Sequence, residues 1–118
     1  MYTIQNLTLK NRILRSATME NMADDQGFVT DALVYLYSNL ALGGTGLIIT
    51  GASAVEQRGR VWDHQTALWY DRYINGLSKI AEVIHQHGSN CKCAVQLHHG
   101  SKTHQPGFSK AQGLATGL

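Results

Sequence analysis

Strand-type and helix-type patterns alternate along this chain, and that order constrains the fold more than any single motif. Arg12-Ile13-Leu14-Arg15-Ser16-Ala17-Thr18-Met19 reads as a first strand, with pairing expected over 12–17. A loop over 20–30 follows, with Asp24, Asp25 and Gly27 as turn formers. Thr30 stands where it can cap a helix over 31–42, with Val29 and Val34 placed as a hydrophobic staple. Leu33, Leu36, Tyr37 and Leu40 recur at helical spacing and give that helix one apolar stripe. Gly43-Gly44 ends it, and the apolar run Leu47-Ile48-Ile49-Thr50 reads as a second strand over 46–50, of the kind buried on both faces. Ile74, Leu77, Ala81 and Ile84 form the stripe of a second helix over 71–87, stopped at Gly88, and 93–97 is a third strand. Alternation of this kind means parallel βα units, opening either a doubly wound sheet or a (β/α)₈ barrel. The first ten residues, with apolar and polar positions alternating about a turn, read as a short hairpin ahead of it.

Composition narrows the function classes. With 118 residues and a net charge of +2 the chain suits one domain and carries no basic run, so neither nucleic acid nor anionic lipid is an expected partner. Its apolar runs fall far short of the ~20 residues of a spanning helix, and no secretory signal pattern opens it. Cys91 and Cys93 lie too close together for an ordinary disulfide, so a reducing, cytoplasmic location is expected.

Several motifs have plain structural readings. Gly43-Gly44-Thr45-Gly46 follows a helix and precedes a strand, the reverse of a phosphate cradle, and reads as a turn. Cys91, Cys93, His98 and His99 lack zinc spacing, and the two cysteines share one strand face that suits the core. His85 and His87 end the second helix as capping residues. Ser16, His98 and the Asp24/Asp25 pair have no nucleophile-elbow glycines around the serine. The informative feature is positional. Ser16-Ala17-Thr18-Met19, Thr50-Gly51-Ala52-Ser53 and Gln96-Leu97-His98-His99 stand at the carboxyl ends of three successive strands, where α/β folds bind ligands.

At these residues the sequence resembles the Old Yellow Enzyme family of NADH:flavin oxidoreductases, which includes flavin-containing 2,4-dienoyl-CoA reductases. The matching stretches are Leu7-Thr8-Leu9-Lys10-Asn11-Arg12-Ile13, Gly43 to Thr50, and Ala94-Val95-Gln96-Leu97-His98-His99, with Val83 to Gly88 in fitting register. The resemblance implies the N-terminal part of an FMN-bearing (β/α)₈ barrel: about three parallel strands and two helices, one partial domain over 1–118, with 100–118 as loop. It implies FMN as cofactor, NAD(P)H as reductant and an activated alkene as the small-molecule substrate.

Carried over by position, Ser16, Ala17, Thr18 and Met19 would lie along the isoalloxazine through their backbone. Ala52 would give a small surface beside the ring, and Gln96 would hydrogen-bond its pyrimidine end. Asn11 and Arg12 look structural. Met19 stands where relatives often carry Thr or Cys, and Ser101-Lys102 replaces the family's Gly-Arg. The family's catalytic His/His or His/Asn pair, its proton donor and its phosphate loops come from later strands, so no catalytic residue and no metal ligand is expected here. A second reading is a truncated, non-catalytic binding or assembly module, self-associating through its open sheet edge.

Overall fold

The computed structural model describes residues 1–100, so the loop expected over 100–118 lies outside the described residues from position 101 onward. The chain opens with the expected hairpin, β1 (Tyr2–Ile4) and β2 (Leu7–Leu9), paired antiparallel with Thr3 opposite Thr8. Asn11 then joins this opening to the middle of the chain. Its Nδ2 donates to the Gly44 carbonyl at 2.8 Å, while its Oδ1 accepts the Ile13 N–H at 3.0 Å.

Three strands, β3 (Leu14–Arg15), β4 (Leu47–Ala54) and β5 (Lys92–His98), form one sheet in that order, and both pairings are parallel. The helices α1 (Asp31–Leu42) and α2 (Ile74–His87) connect them, so the alternation of the sequence is the alternation of the fold. Thr30 caps α1 as expected, its Oγ1 accepting the Leu33 N–H at 3.3 Å. Gly44 leaves the helix at φ +93°, a conformation that a side chain would strain.

Four local expectations are corrected. The first strand pairs only at Leu14 and Arg15 rather than over 12–17, because the side chains of Arg15 and Glu20 hold the following backbone elsewhere. The second strand runs on to Ala54, so Thr50 to Ser53 lie inside it; a register irregularity between Ile49 and Ala52 lets it continue. The helix expected over 71–87 begins as a 3₁₀ turn, Asp71–Tyr73, and becomes α-helical at Ile74.

The buried stripe of α2 is the fourth. It runs through Tyr73, Ile80 and Ile84, and Ile74 is 54% exposed. Tyr73 takes the inner position because its ring packs on Phe28 and Trp69 while its hydroxyl donates to the Gln26 carbonyl at 3.1 Å. Ile84 is buried as expected and Leu77 and Ala81 are half-buried, so the difference lies at Tyr73 in place of Ile74 and at Ile80.

The core lies between the helices and one face of the sheet: Leu33, Tyr37, Ala41, Ile48, Ile80, Ile84 and Cys91, with Cys93 packed against it. Both cysteines are free, as their one-face spacing suggested, and burial raises both thiols above the ordinary range. His85 and His87 stand in the last turn of α2 as expected, with His85 Nε2 3.6 Å from Cys93 Sγ, and Lys10 also donates to the Gly88 carbonyl at that end.

Candidate functional site

The segment after β3 is held by a network of side chains that sequence reasoning missed. Arg15 Nη1 donates to the Ile49 carbonyl at 2.9 Å, and Arg15 Nη2 donates to the Thr18 carbonyl at 3.0 Å. The same guanidinium meets Glu20 Oε1 at 3.0 Å, with the two side chains only 15% and 6% exposed. Tyr37, reaching up from α1, donates its hydroxyl to Glu20 Oε1. The Gly51 N–H is shared between Glu20 Oε1 at 3.0 Å and the Tyr37 oxygen at 3.1 Å. One carboxylate therefore ties together β3, α1 and the irregular part of β4.

Gly51 is required by that closeness, since a Cβ there would meet the Glu20 carboxylate and the Thr18 carbonyl. An Arg and a Glu flanking the short uncharged run Ser16-Ala17-Thr18-Met19 is the signal in the sequence that could have been followed.

Burial first, then the hydrogen bond and charge of Glu20, push the Tyr37 hydroxyl above its ordinary value. A group raised in the folded state contributes stability that is whole below its unfolded value, about 10 for tyrosine. That contribution falls as pH climbs from there towards the raised folded value. Urea midpoints measured across the alkaline range should therefore fall less steeply for Tyr37→Phe than for the wild-type chain.

The residues singled out in the sequence fall into two groups. Ala52 and Gln96 are register partners on β4 and β5, so their side chains share a face of the sheet. Ser16, Ala17, Thr18 and Met19 form the extended segment beyond β3, with Ser16 and Thr18 exposed and Ala17 and Met19 half-buried. The backbone N–H groups of Thr18 and Met19 have no hydrogen-bond partner among the described residues. The network through Glu20 and Gly51 places this segment beside the strand that carries Ala52.

The other imagined constellations are not assembled. Asp24 spends its carboxylate on the Gln26 and Phe28 N–H groups at 2.9 and 2.8 Å, and Asp25 lies against His64. His99 pairs with Glu56 at 3.0 Å, while His98 meets the fully buried Gln65, a second residue the sequence reading passed over. Among the described residues no group of three or more His, Cys, Asp or Glu is placed to hold a metal ion.

Together these features define a parallel α/β protein with its candidate site at the carboxyl ends of the strands, where this class carries ligands. The family model of NADH:flavin oxidoreductase / NADH oxidase proteins matches residues 2–113. An NADPH dehydrogenase of Listeria monocytogenes is 38% identical over 108 residues, which are 90% of this chain and 31% of that protein. An NADPH dehydrogenase of Clostridium acetobutylicum is 32% identical over 104 residues, 88% of this chain and 30% of the relative. The chain thus spans less than a third of the length of these relatives.

Among solved structures, a 2-naphthoyl-CoA reductase in complex with 2-naphthoyl-CoA superposes at a TM-score of 0.77 with 27% identity, over 83% of this chain and 15% of that one. The Old Yellow Enzyme of Pichia sp. AKU4542 superposes at 0.76 with 24% identity, over 83% and 25%, a likeness of fold. The chain belongs to the NADH:flavin oxidoreductase / NADH oxidase family. Its three parallel strands and two helices are the N-terminal part of the family's (β/α)₈ barrel.

Proposed function

We propose that the chain is part of an FMN-dependent oxidoreductase that takes hydride from NAD(P)H and delivers it to an activated alkene. The observation that carries this reading is the pairing of Ala52 with Gln96 beside the N–H groups of Thr18 and Met19, which have no partner among the described residues. A small side chain leaves room for a flat ring, and a carboxamide both donates and accepts. Such N–H groups are suited to a ring's acceptor atoms, so the donor set fits a flavin. FMN supplies the redox chemistry when bound, and the protein supplies orientation and hydrogen bonds.

Ser16, Ala17, Thr18 and Met19 would line the ring through backbone, Ala52 would lie beside it and Gln96 would hold its polar end. Met19 would offer a thioether where a hydroxyl or thiol would offer a stronger hydrogen-bond partner. In a complete barrel carrying this segment, Gln96→Leu should weaken FMN binding by about 1–3 kcal/mol, the cost of leaving polar atoms unpaired. Unchanged affinity in a fluorescence-quench titration would remove Gln96 from the site.

We place the protein in the cytoplasm, a reading supported by its free cysteines. Among the described residues no helix is long and apolar enough to cross a membrane. A second reading, assembly through the sheet edge, is favoured by the outer strand β5, where Val95 is 45% and Leu97 67% exposed. Such a strand offers backbone groups and apolar side chains to another copy. The 118-residue chain alone should therefore self-associate in sedimentation velocity, and a monomer at all concentrations would exclude that reading.

A further inference from the structure

We propose that Gln65 is a positioning residue that fixes His98 in a single tautomer, with Nδ1 as acceptor and Nε2–H left as a hydrogen-bond donor. Gln65 is fully buried, and three groups surround its carboxamide. Its Oε1 accepts the Val61 N–H at 2.9 Å, and a backbone N–H can only donate. Its Nε2 donates to the Ala52 carbonyl at 3.0 Å, and a carbonyl can only accept. These two backbone partners settle which end of the amide is nitrogen.

The remaining Nε2 contact, 3.2 Å to His98 Nδ1, then has one consistent assignment. The amide nitrogen supplies the hydrogen and the imidazole Nδ1 supplies the lone pair, so the ring's own hydrogen sits on Nε2. A hydrogen on Nδ1 would set two donors against each other in a buried place.

The location gives the donor a use. His98 is the register partner of Ala54, two residues beyond the Ala52–Gln96 pair, so its side chain projects from the same face of the sheet. The ring is half-exposed and lies beside Trp62, with centroids 5.7 Å apart. The Nε2–H is suited to an acceptor oxygen, as of a carbonyl, carboxylate or phosphate, on a ligand laid against Ala52 and Gln96. That last step rests on the functional reading above; the tautomer does not. One carboxamide thus serves both a backbone atom of the candidate ring-contacting residue, Ala52, and the side chain of His98.

The test is long-range 1H–15N correlation spectroscopy on the 118-residue chain with 15N-labelled histidine, at mildly alkaline pH and without flavin. His98 is expected to show a pyridine-type Nδ1 and a pyrrole-type Nε2. Gln65→Glu replaces the donor by a carboxylate and should move the hydrogen to Nδ1, exchanging the two signatures. Gln65→Met keeps the side-chain length without either polar atom and should leave a tautomer mixture, with the signals of the other histidines unchanged.

A wild-type His98 protonated on Nδ1, or a mixture, would overturn the proposal on its own, whether or not the Glu variant folds. A Met variant that folds and keeps the pure wild-type signature would overturn it as well. Because no flavin is present, failure here and failure of the flavin reading are separate results.

Discussion

Glu20→Ala is expected to lower the stability of this chain by about 3–5 kcal/mol, the scale for removing one partner of a buried ion pair. Glu20 is the acceptor for three donors at once: the Arg15 guanidinium, the Tyr37 hydroxyl and the Gly51 N–H. Alanine would leave the guanidinium without its counter-charge in a place that is mostly closed to water. Stabilities of whole domains are about 5–15 kcal/mol, so the loss would be a large fraction of the total. Glu20→Gln keeps the shape and one acceptor oxygen, and should lose less. Urea midpoints at constant slope measure both, with exposed Glu82→Ala on α2 as the reference. A Glu20→Ala midpoint no lower than the reference would mean that the network does not hold the segment.

Ile48→Ala should cost about 2–5 kcal/mol through the cavity it leaves, since the surroundings can close over only part of it. Ile48 is fully buried in the central strand, in register with Arg15 on one side and Cys93 on the other. Its side chain belongs to the cluster shared by α1 and α2. Val95→Ala on the half-exposed outer strand removes less buried surface and should stay near the ~0.5 kcal/mol typical of surface changes. Equal losses at the two positions in the same denaturation experiment would contradict the placement of the core.

Element order and the parallel sheet are legible because the two helices carry their own period, Thr30 caps the first of them, and the glycine stops at Gly43 and Gly88 fall at real ends. What periodicity could not show was side chains acting at a distance. The stripe of α2 was read from its aliphatic residues, yet Tyr73 claims the inner position through contacts to Phe28, Trp69 and Gln26. The apolar run that marks strand β4 in the sequence stops at Thr50. Gly51 is there for Glu20 and Thr18, and the strand continues past it. Gln65 gave no local signal at all, since its value lies in three partners that the sequence separates from one another. The candidate residues Ser16 to Met19, Ala52 and Gln96 came from strand-end position and family resemblance. The structure adds the residues beneath them.

The arrangement around Glu20 divides labour between what holds the segment and what the segment shows. Arg15, Glu20 and Tyr37 grip backbone carbonyls and an N–H, while the side chains of Ser16 and Thr18 stand outside the grip. Substitutions at those two positions can therefore change the chemistry of the exposed surface without disturbing the polar joint below it. Mutational drift should be cheap on top and costly underneath, so a library randomised at 16 and 18 should keep most members folded, whereas one randomised at 15 and 20 should lose most of them. The segment is in effect a replaceable tile on a fixed mount.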